Sequence, residues 1–432
     1  MDSATVEFLH LHRQALNQLS LGLNKKSLIS DAAQMRALVT DLVGRHGPAG
    51  ADVAELSRAA LDWRVAQAAG KLPAGWLADS TATQQATPAA VAAYRAEFLC
   101  SLFPTATFVD VTCSVGTEVA AIAHAGGTAR GSDYDAGRLT MARHNVPQCH
   151  FEHMDALQPA PWLAAALHSA REYAAGGGDP AGVPVVIVAD PARRAGGQRI
   201  VDPEQLQPPL SKVVATYAEV PVAIKCAPGV DFSQWPGLVD VVSVNGAVKE
   251  ACLYSPEVSA AAAFGPQPRR AVVISETAAG PGEGERLSRR VEVYHSVDPV
   301  SAPEELVGPV GRFIVEPDGA VIRAGLVQHY AHRWGLHMVD PHIAFLTGER
   351  VPVGGSGFPV REVVPLKQLK AAVKKQDAGS AEILVRGVDV DPDRLRSQLK
   401  LKGTNPIGII VARVGENRVA YVCGPREWDR GA

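Results

Sequence analysis

Thr107-Phe108-Val109-Asp110-Val111-Thr112-Cys113-Ser114-Val115-Gly116-Thr117-Glu118, TFVDVTCSVGTE, is the stretch whose reading decides the fold. Phe108, Val109 and Val111 are strand formers around Asp110, and the apolar run stops in a turn of small residues, Thr112 to Gly116, that opens a helix. A strand that ends this way leaves bare backbone N–H groups and the start of a helix dipole at the carboxyl edge of a sheet. A nucleotide-like ligand can approach the main chain closely there. Acidic residues then recur at the ends of further short runs: Gly131-Ser132-Asp133-Tyr134-Asp135, His153-Met154-Asp155, and Val185-Val186-Ile187-Val188-Ala189 followed by Asp190-Pro191-Ala192-Arg193-Arg194. Helical stretches separate them, so the order β-α-β-α calls for a parallel sheet with ligands at its carboxyl edge.

With these residues the sequence resembles the class I S-adenosylmethionine-dependent methyltransferases over roughly residues 88 to 255. The resemblance implies an α/β, Rossmann-like seven-stranded methyltransferase sheet with S-adenosyl-L-methionine as cofactor. It places Asp110 and the turn of Thr112, Cys113, Ser114 and Gly116 beside the methionine part of that cofactor. Asp133, with Tyr134 next to it, would take the ribose hydroxyls, because a carboxylate accepts two such bonds at once. Asp155, followed by Ala156, would accept from the adenine amino group. A dinucleotide site would instead want GxGxxG, which is absent.

Asp190-Pro191-Ala192-Arg193 sits where these enzymes keep their catalytic motif, which makes Asp190, Pro191 and Arg193 the catalytic candidates. The proline fixes the turn, and Asp190 would orient the incoming group or accept its proton. Arg193 stands where an aromatic usually stacks on the base. With Arg194, Gly196-Gly197 and Arg199 it suits a phosphate or other anion near the methyl donor, the bland alternative being an ion pair with Asp190 or Glu204. Lys225 in the strand Val220 to Cys226 would bind a substrate anion, or else snorkel over the sheet rim. Cys226 invites comparison with the nucleophile of the RNA pyrimidine C5-methyltransferases, but Ala227 replaces the Asn of their SCNP motif, which favours an inert, half-buried thiol. Asn245-Gly246, between Val239 to Val244 and Val248 to Tyr254, is a strong hairpin signal and supplies the antiparallel strands expected to close the sheet.

Around this core, 432 residues of which 47% are hydrophobic suggest several domains with real cores. Residues 1–87 read as an N-terminal helical domain, either a scaffold, or a lid over the cofactor or part of the substrate groove. Ser30-Asp31 should cap a helix through Met35, Leu38, Val39 and Leu42 that stops at Gly44, and Thr87-Pro88 should cap another through Val91, Tyr94, Phe98 and Leu102. The methyltransferase domain spans 88–258 and contains a helix expected around Pro203 to Tyr217. A β-rich extension and linker follows over 259–361, with strands at Ala271 to Ser275, Val291 to His295 and from Phe313, and one helix from Ala320 to Trp334. The glycine-rich Ala278 to Glu285 should be an exposed turn. His329, His332, His337 and His342 lack the spacing of a known metal site, so no metal is expected.

Residues 362–426 hold twelve Lys and Arg against seven Asp and Glu, a net of +5, while the rest of the chain carries −8 within a total of −3. Strands at Ala381 to Arg386, Ile407 to Val414 and Arg418 to Cys423, with a helix from Pro392 to Leu401, make a small α+β module. It is similar to a THUMP-like domain, a type associated with RNA binding, and DPARR with IKCAP resembles a bacterial group of methyltransferases that carry one. Arg394, Arg396, Lys400 and Lys402 would grip a phosphate backbone. The expected function is therefore methyl transfer from S-adenosylmethionine to RNA, rRNA or tRNA, by direct in-line displacement. A protein or small-molecule methyltransferase, or a non-catalytic RNA-binding protein of the same fold, are the other classes. Six cysteines without a CxxC and no apolar run near the ~18 residues of a membrane span point to a reducing cytoplasm and no membrane partner.

Overall fold

Aspartates start most of the first helices, each accepting from backbone N–H groups that the helix itself cannot satisfy. Asp2 opens α1 (Ser3–Gln18) through the Thr5 N–H at 2.8 Å, Asp52 opens α3 (Val53–Ala68), and Asp79 opens α4 (Ser80–Gln85). Pro88 precedes α5 (Ala89–Leu102) without a side-chain cap. The computed structural model describes residues 1–46, 51–179, 182–192, 194–195, 198–199, 202–278 and 287–429. These form two compact units, one of 1–239 with 249–267, the other of 240–248 with 268–432.

Helix α2 departs from expectation at both ends, running from Leu28 to His46. Asp31 lies inside its first turn, and its carboxylate turns back to accept the Gly22 and Leu23 N–H groups and the Ser27 hydroxyl at 2.7–3.0 Å. Gly44 does not stop the helix, since one glycine costs only about 1 kcal/mol against alanine. Val6, Leu9, Met35, Val39, Leu56 and Trp63 form a core that also takes in Val115 and Met141 from the sheet part of the same unit. The Asn145 side chain ties the layers further, exchanging hydrogen bonds with the Leu77 N–H and carbonyl.

The first unit's sheet contains β1 (Thr107–Asp110), β2 (Thr128–Asp133), β3 (His150–His153) and β4 (Val185–Ala189). After a short antiparallel ladder of β5 (Arg194–Ala195) and β6 (Gln198–Arg199) come β7 (Val222–Cys226) and, past β8 (Val239–Val244), most of which belongs to the second unit, β9 (Ala247–Tyr254). The order across it is β3-β2-β1-β4-β7-β9, parallel except for β9, with Asp110 beside both Gly131 and Val188. VVIVA and VAIKC are buried along their whole length, as central strands covered on both faces must be. The coverings are α6 (Thr117–His124), α7 (Ala136–Asn145), α8 (Pro161–Ala175) and α9 (Leu210–Thr216). The expected helix from Pro203 is instead a single 3-10 turn, Pro203–Gln205, followed by α9, because Pro208 and Pro209 have no N–H to continue it. The turn between β8 and β9 is Asn245-Gly246, both at positive φ (50° and 77°), as the sequence signal required.

In the second unit β10 (Arg269–Ala278) and β11 (Leu287–His295) pair antiparallel, and Arg270 on β10 holds the buried Asp240 of β8 through two 2.6 Å bonds. The glycine-rich run expected as a turn lies, after Ala278, outside the described residues. Further strands are β12 (Phe313–Val315), β13 (His337–Met338), β14 (Leu346–Gly348), β15 (Ser356–Pro365), β16 (Ala378–Arg386), β17 (Asn405–Val414), β18 (Asn417–Cys423) and β19 (Glu427–Trp428). They make one sheet, β13-β14-β12-β15-β18-β17-β16, with β19 on β15. The helix expected over Ala320 to Trp334 is two, Gly319–Arg323 and Val327–Trp334, broken at Gly325, whose φ of 74° no α-helix accommodates. Parallel strands β16 and β17 are joined through a helix, Pro392–Leu399, capped by Asp391 and ended by Lys400 in a left-handed conformation.

Candidate active site

The carboxyl ends of β1, β2 and β4 open into one cleft of about 870 Å³ in the first unit. Asp110, Asp133, Asp155 and Asp190 all line it, as do Thr112, Cys113, Ser114, Tyr134, Ala156, Pro191 and Lys225. The sequence candidates in this half of the chain are therefore brought together. Gly116 stands behind the cleft as the residue before α6, at a φ of 92°, and a Cβ there would lie 3.0 Å from Val146 Cγ2. Arg193 lies outside the described residues, and Arg194 and Arg199 are described in backbone only.

The turn after β1 is shaped by its own acids. Asp110 Oδ1 accepts the Thr112 N–H at 3.0 Å, and the Thr112 hydroxyl accepts the Asp190 N–H at 2.6 Å, so the ends of β1 and β4 are stitched side by side. Ser114 is at φ 49°, a left-handed conformation that few non-glycine residues adopt, and its N–H donates to Asp133 Oδ2 at 2.8 Å. Asp133 Oδ1 takes the Asp135 N–H at 2.9 Å. Each oxygen of an ionised carboxylate has a second acceptor site, which suits a ligand with two neighbouring hydroxyls. Asp155 Oδ1 caps its own turn through the Leu157 N–H, and the buried Tyr217 hydroxyl pins that turn by donating to the Ala156 carbonyl at 2.6 Å. Tyr134, 76% exposed, lies at the cleft rim beside the His153 ring.

Beneath the cleft is an ion network that the sequence reading missed. Arg95 of α5 donates to both oxygens of Glu118 at 3.1 Å and also pairs with Glu250 on β9. Lys225 is 2% exposed, not at the sheet rim; its ammonium is 2.7 Å from Asp190 and 3.4 Å from Glu118. Burial alone would raise the Glu118 carboxyl, but Arg95 and then Lys225 hold it down at about 2. Burial opposes the charge on Lys225, yet Asp190, Glu118 and Glu250 keep its pKa above the ordinary lysine value. Asp110 is pushed up to about 8 by burial and by the nearby Glu118, against the pull of Lys225. Asp133 is also raised by burial, in spite of its N–H donors from Asp135 and Ser114. Burial holds the Cys113 thiol well above the ordinary range, and Cys226 is 1% exposed, so both are enclosed thiols. A charged residue at Glu118, the second of the largely apolar α6, hints at the network, but periodicity does not reveal that Arg95 pairs with Glu250, 155 positions away.

Arg394, Arg396, Lys400 and Lys402 belong to the second unit and are exposed around the helix Pro392–Leu399. Arg396 is engaged with Asp393 three residues before it.

The chain is 38% identical over 364 residues to two Mycobacterium tuberculosis proteins, from strains CDC 1551 and H37Rv, both named S-adenosylmethionine-dependent methyltransferases; the matches cover 81% of this chain and 89% of each relative. It belongs to the S-adenosylmethionine-dependent methyltransferases. The THUMP domain-like family matches residues 355–425. A structure from Porphyromonas gingivalis W83, described as a methyltransferase, shares the fold over 93% of this chain and 98% of its own, at 16% identity and a TM-score of 0.59. This methyltransferase thus joins a class I, Rossmann-like sheet to a THUMP-like C-terminus, and its cofactor is S-adenosylmethionine. The acceptors around its cleft fit that cofactor, which presents ribose hydroxyls, amino groups and one sulfonium charge. No helix among the described residues is long and apolar enough to cross a membrane.

Proposed function

We propose that this methyltransferase modifies RNA, rRNA or tRNA, in the cytoplasm. The observation that carries the reading is the basic THUMP-like region: the family match at 355–425 coincides with the +5 segment, and four exposed cations surround one of its helices. On this reading Arg394, Arg396, Lys400 and Lys402 hold the phosphate backbone, and the chain keeps the four-part division at 87/88, 258/259 and 361/362. The six cysteines, none of them in a disulfide among the described residues, suit a reducing compartment.

Within the cleft, the reading gives Asp133 the ribose hydroxyls, Asp155 the adenine amino group, and Asp110 with the Thr112 to Gly116 turn the methionine end. Bound S-adenosylmethionine supplies a methyl group on a sulfonium, open to in-line attack. Asp190, held through its N–H by Thr112 and through its carboxylate by Lys225, orients the incoming nucleophile and accepts its proton. Pro191 keeps that turn stiff, while Arg193, Arg194 and Arg199 take anionic groups of the substrate. Lys225 serves the same anions through its grip on Asp190. Catalysis then comes mainly from alignment, which is worth up to ~7–11 kcal/mol in well-oriented reactions.

The test is incubation of total cellular RNA and of total protein with donor labelled in its methyl group. Label should enter RNA with the wild type and fall at least about 100-fold with Asp190→Ala, while calorimetry shows the donor still bound. Label entering protein alone would overturn the RNA assignment.

A further inference from the structure

Among the described residues, the buried charges under the cleft do not balance. Asp110, Glu118 and Glu250 are only 2–3% exposed, yet the buried cations among the described residues in that layer are two, Arg95 and Lys225. Arg95 is engaged with Glu118 and Glu250, and Lys225 with Asp190 at 2.7 Å and Glu118 at 3.4 Å. No salt-bridge partner within reach of Asp110 is found among the described residues. Its hydrogen bonds there are those of Thr112, the N–H at 3.0 Å and the hydroxyl at 3.5 Å, both to Oδ1. The groups that face it are Glu118 from α6, Asp190 from the end of β4, Lys225 from β7 and the protonated Cys113 thiol, with Arg95 and Glu250 behind them.

The donor carries one more positive charge than the thioether it leaves behind, and the two are otherwise alike in the groups that acids can bind. We propose that Asp110 is the residue that tells donor from product, ionising when the sulfonium enters the cleft and regaining a proton when only the thioether remains. The inference rests on the cleft being the cofactor site, with Asp110 facing the sulfur rather than the α-ammonium that donor and product share. Its chemistry is a proton equilibrium only: donor binding releases the Asp110 proton to solvent, and product leaves the carboxyl neutral. Burial and the nearby Glu118 support it, having raised the carboxyl to about 8. The sign follows: below pH 8 the donor must displace a proton, so its Kd falls about tenfold for each unit of rising pH and levels off above 8, whereas the product's Kd stays flat.

Calorimetric titration with S-adenosylmethionine and S-adenosylhomocysteine, from pH 6 to 8.5 and in two buffers of different ionisation enthalpy, tests this. In the wild type about one proton should leave per donor bound at pH 7 and none per product. In Asp110→Asn donor binding should release none, and the donor's preference over the product should shrink and lose its pH dependence. Absence of proton release from the wild type overturns the proposal, whatever the variant does, and so does an Asp110→Asn chain that weakens both ligands equally while keeping the pH dependence. Asp133→Ala separates this from the site assignment. Equal weakening of donor and product supports the site, and unchanged binding of both would show that the cofactor lies elsewhere.

Discussion

Arg95→Met removes the guanidinium that Glu118 and Glu250 share while keeping an apolar stem in its place. Arg95 is 2% exposed, and both partners are nearly as enclosed, so the loss of its donors leaves two carboxylates with little solvation. A Glu118 carboxyl held at about 2 instead of its ordinary 4.5 corresponds to about 3 kcal/mol of stability at neutral pH, and breaking a buried pair from one side costs about 3–5 kcal/mol. Urea unfolding at pH 7 should therefore show a loss of about 3–5 kcal/mol for Arg95→Met, at an unchanged denaturant slope. Because the folded value lies below the unfolded one, this stability is full above pH 4.5 and disappears as pH falls toward 2. The gap between variant and wild type should narrow over that window. Adding Glu118→Gln and Glu250→Gln to Arg95→Met should restore most of the loss, since the orphaned charges go with them. A loss under about 1 kcal/mol, or glutamines that deepen it, would refute the claim that these charges are buried and interdependent.

Two further outcomes are expected. Neutralising Arg394, Arg396, Lys400 and Lys402 together should weaken RNA binding at every sequence alike and flatten the log–log salt dependence by about 3, measured by fluorescence anisotropy; an unaltered slope would place the RNA on another surface. Gly116→Ala should cost about 1–3 kcal/mol in thermal unfolding, because alanine resists a φ of 92° and its Cβ would press on Val146; a wild-type melting curve would contradict the strain.

Much of the site was legible because it is local. Each of Asp110, Asp133, Asp155 and Asp190 closes a short strand or follows it by a residue or two, and a parallel sheet carries such positions to one edge. The misreadings came where local signals had competitors. Asp31 is a good capping residue, but the loop at Gly22 and Leu23 offered it N–H donors first. Gly325 inside an apparently continuous helical run marked a break that side-chain periodicity conceals. Lys225 read either as a site for a substrate anion or as a rim lysine, and its buried ion pairs were hidden because its partners are remote in sequence; Glu118 lies 107 positions before it and Asp190 35.

The sequence by itself determined the alternation of strands and helices, the hairpin at Asn245-Gly246, the acids at the strand tips and the basic segment from 362 to 426, since each depends on periodicity, turn chemistry or a count of charges. Only the tertiary structure decided how those acids are charged. A carboxylate's state depends on burial and on cations brought next to it by folding: Arg95 reaches Glu118 and Glu250 from a helix, Lys225 reaches Asp190 from a strand, and among the described residues Asp110 is left beside them without a cation of its own.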